Sequence, residues 1–245
     1  MATSIPPLAE LDLARCCLVV AHPDDEVLWF SSIVERVGSL VLCYEDCDDY
    51  PELGPARRRV LDAYPLSQVS SLRLPEPCSV SLVDWSKPEH DAWGLRLNAP
   101  SATMERVERY RRSFQALREG LVERLRGAQA VFTHSPWGEY GHPDHVQVAC
   151  VVESLRRELG FRLLHCGYIA DRTMPLAATT LCQLQSYGEL PTPSAMATAL
   201  QALYSAHGCW TWPEDYTRFE LETFLERTET PARPGAGFRL NCVVP

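Results

Sequence analysis

The run ARCCLVVA at residues 14–21 constrains this chain more than any other stretch. It is almost continuously apolar, has the length of one strand, and stops abruptly at His22-Pro23. A strand that alternates apolar and polar residues keeps one face in water. One that does not alternate is covered on both faces, as in a parallel sheet sandwiched between helices.

The rest of the first 170 residues continues in that sense. A helix is expected from near Asp24 to Gly38, with Asp24, Asp25 and Glu26 favourable at its positive end. Ser39–Tyr44 reads as a second strand, followed by a polar, acidic loop to Gly54, and Arg57–Ala63 as a short helix stopped before Pro65. Residues 66–100 carry several prolines and show no clear period. From Ser101, the residues Met104, Val107, Tyr110, Phe114, Leu117, Leu121 and Leu125 recur three or four apart, one apolar stripe of a long helix closed by Gly127. Ala128–Thr133 is the next strand, Pro143 opens a helix that ends at Gly160, and Phe161–Ala170 contains another strand. Beyond Asp171, helices are expected at Pro193–Ala206 and Pro213–Glu226. The alternation predicts an α/β fold, a Rossmann-like, mostly parallel sheet with helices on both faces (an α/β/α sandwich). In such folds the site lies outside the carboxyl ends of the strands. Residues 1–245 are expected to form a single domain, with a core at 14–170 and an extension at 171–245 that completes the pocket.

Composition removes several function classes. With 46% hydrophobic and 22% charged residues the chain can bury a substantial core. A net charge of −9 argues against nucleic acid or an anionic membrane as partner. No apolar run approaches the roughly 18 residues of a spanning helix. The first 15 residues lack a basic start followed by an apolar stretch, so no secretory signal is expected and the expected address is the cytoplasm. The ten cysteines contain no C-x-x-C and several sit in apolar runs, which reads as mostly buried reduced thiols.

Two segments carry chemistry, both at the predicted carboxyl edge. AHPDDE (21–26) follows the first strand, and GEYGHPDH (138–145) follows the strand ending near Thr133. A catalytic zinc site needs nitrogen or carboxylate ligands converging on one point with a position left for water. His22 and Asp25, three apart at a strand-to-helix turn, permit that convergence, and His145 would supply the third ligand from the neighbouring loop. Asp24 points elsewhere and suits a general base taking a proton from the attacking water. His142 could protonate a leaving amine or, when charged, support an oxyanion, and Tyr140 could donate a hydrogen bond to that oxyanion. Asp144 could orient His142 or His145.

AHPDDE after an N-terminal strand, paired with a later GHPDH, resembles the PIG-L/LmbE-like N-acetylglucosaminyl deacetylases over roughly residues 14–170. The resemblance implies a Rossmann-like sandwich and metal-dependent hydrolysis of an acetamide on an amino sugar. By motif position it implies His22, Asp25 and His145 as zinc ligands and Asp24 as general base. It further implies His142 as a positively charged catalytic histidine with Asp144 as its partner, and Tyr140 as a mobile oxyanion donor. Fe2+ is compatible with the same ligands. Two departures bear on the substrate pocket rather than on the metal. Trp29, Phe30, Ser31 and Ser32 stand where many relatives have glycines, and the family's Arg-x-x-Glu is at best represented by Arg59-Val-Leu-Asp62.

Other residues read more plainly. His134 either lines the site or makes a structural hydrogen bond, His165 reads as a satisfied core residue, His90 as solvated and His207 as a helix-end cap. Trp29, Trp137, Trp210 and Trp212 could stack on a sugar face, one or two of them touching substrate while the others pack. Arg57-Arg58-Arg59 reads as a solvated helix face rather than an anion site. The Glu45–Asp49 cluster lacks the spacing and glycine of a calcium loop. A nucleotide-binding reading fails because the first strand runs into carboxylates rather than a G-x-G-x-x-G turn.

The expected function is a zinc-dependent amidohydrolase removing an acetyl, or other small acyl, group from the amine of an amino-sugar-containing small molecule. The alternatives are a metal-dependent amide hydrolase acting on a non-sugar or thiol-conjugate substrate in secondary metabolism, and a non-catalytic sugar-binding relative.

Overall fold

The computed structural model describes residues 11–192, 194–229 and 239–244. In chain order the strands are β1 (Cys16–Val20), β2 (Ser39–Asp46), β3 (Val69–Pro75), β4 (His90–Asp91), β5 (Gly94–Leu95), β6 (Ala130–Thr133), β7 (Arg162–Cys166), β8 (Tyr168–Ile169), β9 (Leu184–Pro191), β10 (Leu221–Arg227) and β11 (Asn241–Cys242). The α-helices are α1 (Asp25–Trp29), α2 (Leu53–Asp62), α3 (Met104–Val122), α4 (Pro143–Leu159), α5 (Met174–Thr180) and α6 (Ala195–Ala206). One seven-stranded sheet of order β3-β2-β1-β6-β7-β10-β9 dominates. Its strands run parallel from β3 to β7, and β10 pairs antiparallel with both β7 and β9.

The continuous apolarity of β1 has the expected cause. Cys16, Leu18 and Val20 face a core shared with α1, α2 and α6, whereas Cys17, Val19 and Ala21 face a second core built by α3 and α4. Helices therefore cover both faces. The chain leaves β1 toward β2 on one side and returns through α3 to β6 on the other. That reversal opens a crevice at the carboxyl ends of β1 and β6, the switch point where such sheets hold their ligands.

Several elements differ from expectation. The helix after β1 has five residues instead of reaching Gly38. Phe30 leaves helical geometry (φ −142°) while Ser32 turns its backbone N–H and hydroxyl to the Glu222 carboxylate. A second turn from Phe30 to Val37 then leads to Gly38, where a Cβ would lie 2.0 Å from the Ala14 carbonyl oxygen. The long helix starts at Met104, capped by Thr103 rather than Ser101. Its buried stripe is Tyr110, Phe114, Leu117 and Leu121, with Met104 left exposed; it ends at Val122, before Gly127. Helix α4 starts at Pro143 and closes at Gly160 in the left-handed conformation (φ 78°), as expected. Helix α6 starts after Ser194, which caps it; Pro193, the expected start, lies outside the described residues.

The helix expected at Pro213–Glu226 is a correction. Residues 221–227 form β10, with Glu222, Thr223, Phe224 and Leu225 all buried. The slot between β7 and β9 offers ladder partners on both edges, and this tertiary pairing overrides local helical preference. Among the described residues no helix is long and apolar enough to cross a membrane. All ten cysteines are free thiols, seven of them buried.

Candidate active site

The carboxyl end of β1 delivers His22, Asp24 and Asp25, the loop between β6 and α4 delivers Glu139, Tyr140 and His142, and the first turn of α4 delivers His145. Three glycine or glycine-like positions shape that second loop: Gly138, Glu139 and Gly141 have φ of 73°, 48° and 93°. A Cβ at Gly141 would lie 2.6 Å from Arg172 Nε, so glycine is required for the approach of Arg172, which donates to the Tyr140 carbonyl.

His22 Nδ1 lies 3.3 Å from Asp25 Oδ2, His145 Nε2 lies 3.3 Å from Asp25 Oδ1, and the two imidazole nitrogens are 3.3 Å apart. A tetrahedral site with bonds near 2.0–2.1 Å has edges of about 3.3–3.4 Å, so the two imidazole nitrogens stand one zinc edge apart, each with a different oxygen of Asp25 at the same distance. All three residues are buried. Their other atoms are tied down in a way that turns these atoms inward. His145 Nδ1 donates to Glu139 Oε2 at 2.5 Å, which leaves Nε2 with a lone pair. His22 Nε2 faces Asp144 Oδ2 at 3.4 Å, which frees Nδ1. The Asp25 carboxylate accepts the His22 backbone N–H at 2.7 Å and Trp29 Nε1–H at 3.0 Å. The donor set thus fits a divalent zinc ion.

Asp24 sits at a left-handed backbone position (φ 106°), which turns its side chain away from Asp25. Its backbone N–H donates to Glu26 Oε2, and Glu26 is anchored in turn by the hydroxyls of Tyr64 and Tyr204. Asp24 Oδ2 accepts both the N–H (3.0 Å) and the hydroxyl (2.6 Å) of Thr211. Burial and the adjacent Asp25 push Asp24 upward despite these bonds. A cavity of about 280 Å³ opens above these groups, lined by His22, Asp24, Asp25, Tyr140, His142 and Trp212 among others.

Tyr140 packs between Trp29 (centroids 5.8 Å) and Trp212 (4.9 Å), and its hydroxyl has no hydrogen-bond partner among the described residues. His142 stacks on His145 (4.7 Å, 18°). Its Nδ1 accepts the Asp144 backbone N–H at 3.3 Å, so the proton is on Nε2 and the ring is neutral. Burial, with His145 and His22 alongside, holds it well below its ordinary value. The Asp144 carboxylate, meanwhile, lies on His22 and accepts from the Ser79 hydroxyl, and does not reach the His142 ring.

Sequence reasoning missed four participants. Glu139 lies inside the quoted motif, but nothing in a lone glutamate announces that it accepts from both His145 and His134. Burial is outweighed there by the two imidazoles, which hold Glu139 far below its ordinary value. Thr211 falls in a segment with no motif. Arg57 was expected on a solvated face but is buried, with Nη1 on Glu76 and the Glu45 carbonyl; Arg58 is half-buried, paired with Glu45 and Asp46, and Arg59 is the exposed member. Glu76, 19 residues on, lies in the stretch whose elements the sequence did not place.

The remaining expectations divide. His134 makes structural bonds, accepting Ala21 N–H at Nε2 (2.8 Å) and facing Glu139 at Nδ1. His165 is buried in β7, His207 caps α6, and exposed His90 bonds the Pro136 carbonyl. Trp29 and Trp137 are fully buried, and Trp212 lines the cavity. Arginines answer the 45–49 carboxylates, Arg109 on Asp48 and Arg106 near Asp49.

No protein-family model matches the sequence, and no curated protein matches it either. Solved structures do. A deacetylase of the teicoplanin biosynthesis pathway, in complex with bog, superposes with a TM-score of 0.52 at 12% identity, covering 87% of this chain and 99% of that one. The zinc-inhibited form of teicoplanin deacetylase Orf2 gives a TM-score of 0.50 at 13% identity, with the same coverage. At such identities the likeness is one of architecture: this chain has the α/β fold of these two deacetylase structures.

Proposed function

We propose that this protein is a zinc-dependent amidohydrolase that removes an acetyl, or other small acyl, group from the amine of an amino-sugar-containing small molecule. One observation carries the reading: the buried cluster of His22, Asp25 and His145, whose imidazole nitrogens lie 3.3 Å apart and 3.3 Å from the two Asp25 oxygens, with Asp24 beside it at a cavity. The shared fold and the paired AHPDDE and GHPDH motifs support it.

A zinc ion held by His22, Asp25 and His145, or Fe2+ on the same ligands, supplies Lewis acidity toward the amide carbonyl and toward water. Asp24, steadied at Oδ2 by Thr211, offers Oδ1 to the attacking water and takes its proton. The free Tyr140 hydroxyl and the Nε2–H of His142 donate to the carbonyl oxygen as negative charge develops on it. Proton delivery to the departing nitrogen falls to Asp24. Neutral His142, with Nδ1 already accepting a backbone N–H, could release its only proton only by becoming an imidazolate. The water hydroxyl thus ends on the acyl carbon and its proton on the amine, giving a carboxylic acid and a free amine. Thr211 and Trp212, which line the cavity, support the reading that segment 171–245 completes the pocket.

A second reading, a non-sugar amide, draws on Tyr50 and Val80. These side chains line the cavity and are 60% and 53% exposed, which suits a substrate with an apolar body beyond the acylamine. Acid release by zinc-loaded protein, measured over N-acetylglucosamine conjugates beside acylamines lacking the sugar, separates the two. Sugar-dependent release is expected. Release indifferent to the sugar selects the second reading, and no release from protein holding one zinc per chain on either set overturns both.

A further inference from the structure

A larger cavity, about 450 Å³, lies on another flank of α4 and shares no lining residue with the catalytic one. Its apolar surface comes from Pro136, Val146, Ala149 and Leu184. Its rim balances Asp91 and Glu153 against Arg157 and Arg227. Glu153 is met by Arg156 and Arg227, and Arg227 Nη1 donates to the Gln183 carbonyl. The Thr179 and Thr180 hydroxyls donate to carbonyls of α5.

His165 is the exception among these polar groups. It is 1% exposed, and Nδ1 sits 2.6 Å from the His134 carbonyl oxygen. A carbonyl oxygen only accepts, so Nδ1 carries the proton and Nε2 presents a lone pair. No described residue bonds Nε2. Nε2 is not fully enclosed: it opens onto the cavity, where water or a ligand can donate to it. Burial also keeps the ring neutral, pushing it down to about 4, so the lone pair persists at physiological pH. The volume falls within the range of small-molecule pockets.

We propose that this cavity is a second small-molecule site, taking a compact, neutral ring compound that presents a hydroxyl or N–H to His165 Nε2. The balanced rim disfavours a strongly charged ligand, and the apolar walls receive the ring. Val146 directly follows His145 in α4, so an occupant packs beside the turn that aims the proposed zinc ligand, which suits an effector rather than a second substrate.

Phenol and anisole test this, since they differ in the O–H donor. By calorimetry on the full chain, phenol binds once per chain and anisole roughly ten-fold more weakly, the worth of one hydrogen bond to a buried acceptor. H165F abolishes the preference. C150F, which adds bulk at the half-buried wall, weakens both ligands. Equal binding of phenol and anisole to the unaltered protein overturns the proposal without reliance on any variant. So does the absence of phenol binding, or phenol binding that C150F leaves unchanged.

Discussion

The parallel part of the sheet and the antiparallel pair β10–β9 contribute to the cavity in different ways. The parallel strands end at one edge, and two of the loops leaving that edge, with the first turns of the helices they open, carry His22, Asp24, Asp25, Tyr140, His142 and His145. The C-terminal third supplies none of these. It supplies their supports: Thr211 on Asp24, Trp212 against Tyr140, Tyr204 on Glu26, and from β10 Glu222 on Ser32. Reactive groups thus come from where parallel strands stop together, and the later segment holds them at fixed angles and closes the wall.

Substitutions in the two regions should therefore fail differently. The largest effect belongs to the first region: Asp24→Asn lowers turnover by roughly 10²–10⁴-fold while zinc content stays at the unaltered level. Near-normal turnover in that variant would remove Asp24 as the base. Next comes Glu222, where the expected effect is on stability. Burial pushes its carboxyl up to about 7, against an ordinary 4.5. The folded state therefore binds an extra proton between those values, and stability falls as pH rises through that window. The loss is on the order of 3 kcal/mol at most. Chemical denaturation at pH 5 and pH 8 should show this slope in the natural protein and a shallower one in Glu222→Gln, since Asp24 and Glu26 are also pushed up to about 7. A Gln variant with the same slope would exclude Glu222 as its source.

Glu139→Gln returns to the parallel region. Gln keeps the shape but not the charge that fixes His145, so zinc affinity should drop about 10–100-fold in a chelator competition. Unaltered affinity would leave Glu139 a purely structural acid. The smallest effect is expected at Thr211: Thr211→Val lowers kcat roughly ten-fold with KM little changed, and Thr211→Ser restores it. A loss confined to KM would place Thr211 on the substrate rather than on Asp24.

How much was legible depended on how far apart in the chain the partners lie. His22, Asp24 and Asp25 occupy one turn, and Tyr140, His142, Asp144 and His145 one loop, so residue type and spacing already suggest convergence. Roles within the second loop were less legible. The hydrogen of His142 and the direction of Asp144 depend on the Asp144 backbone N–H and on His22, 122 residues from Asp144. Arg57 with Glu76, and Asp24 with Thr211, involve pairs whose second member sits where no period or motif points.

The sequence alone determined that a strand buried on both faces would end in a histidine-and-carboxylate turn, and that α4 would begin at Pro143 and stop at Gly160. Those are consequences of apolar continuity, proline and glycine within a few residues. Tertiary structure alone decided that residues 221–227 are a strand and that Asp24 is held by Thr211. It also decided that Asp144 serves His22. Each of these requires a hydrogen-bond partner tens to hundreds of residues away, and the energy of that pairing, not local preference, chooses the conformation.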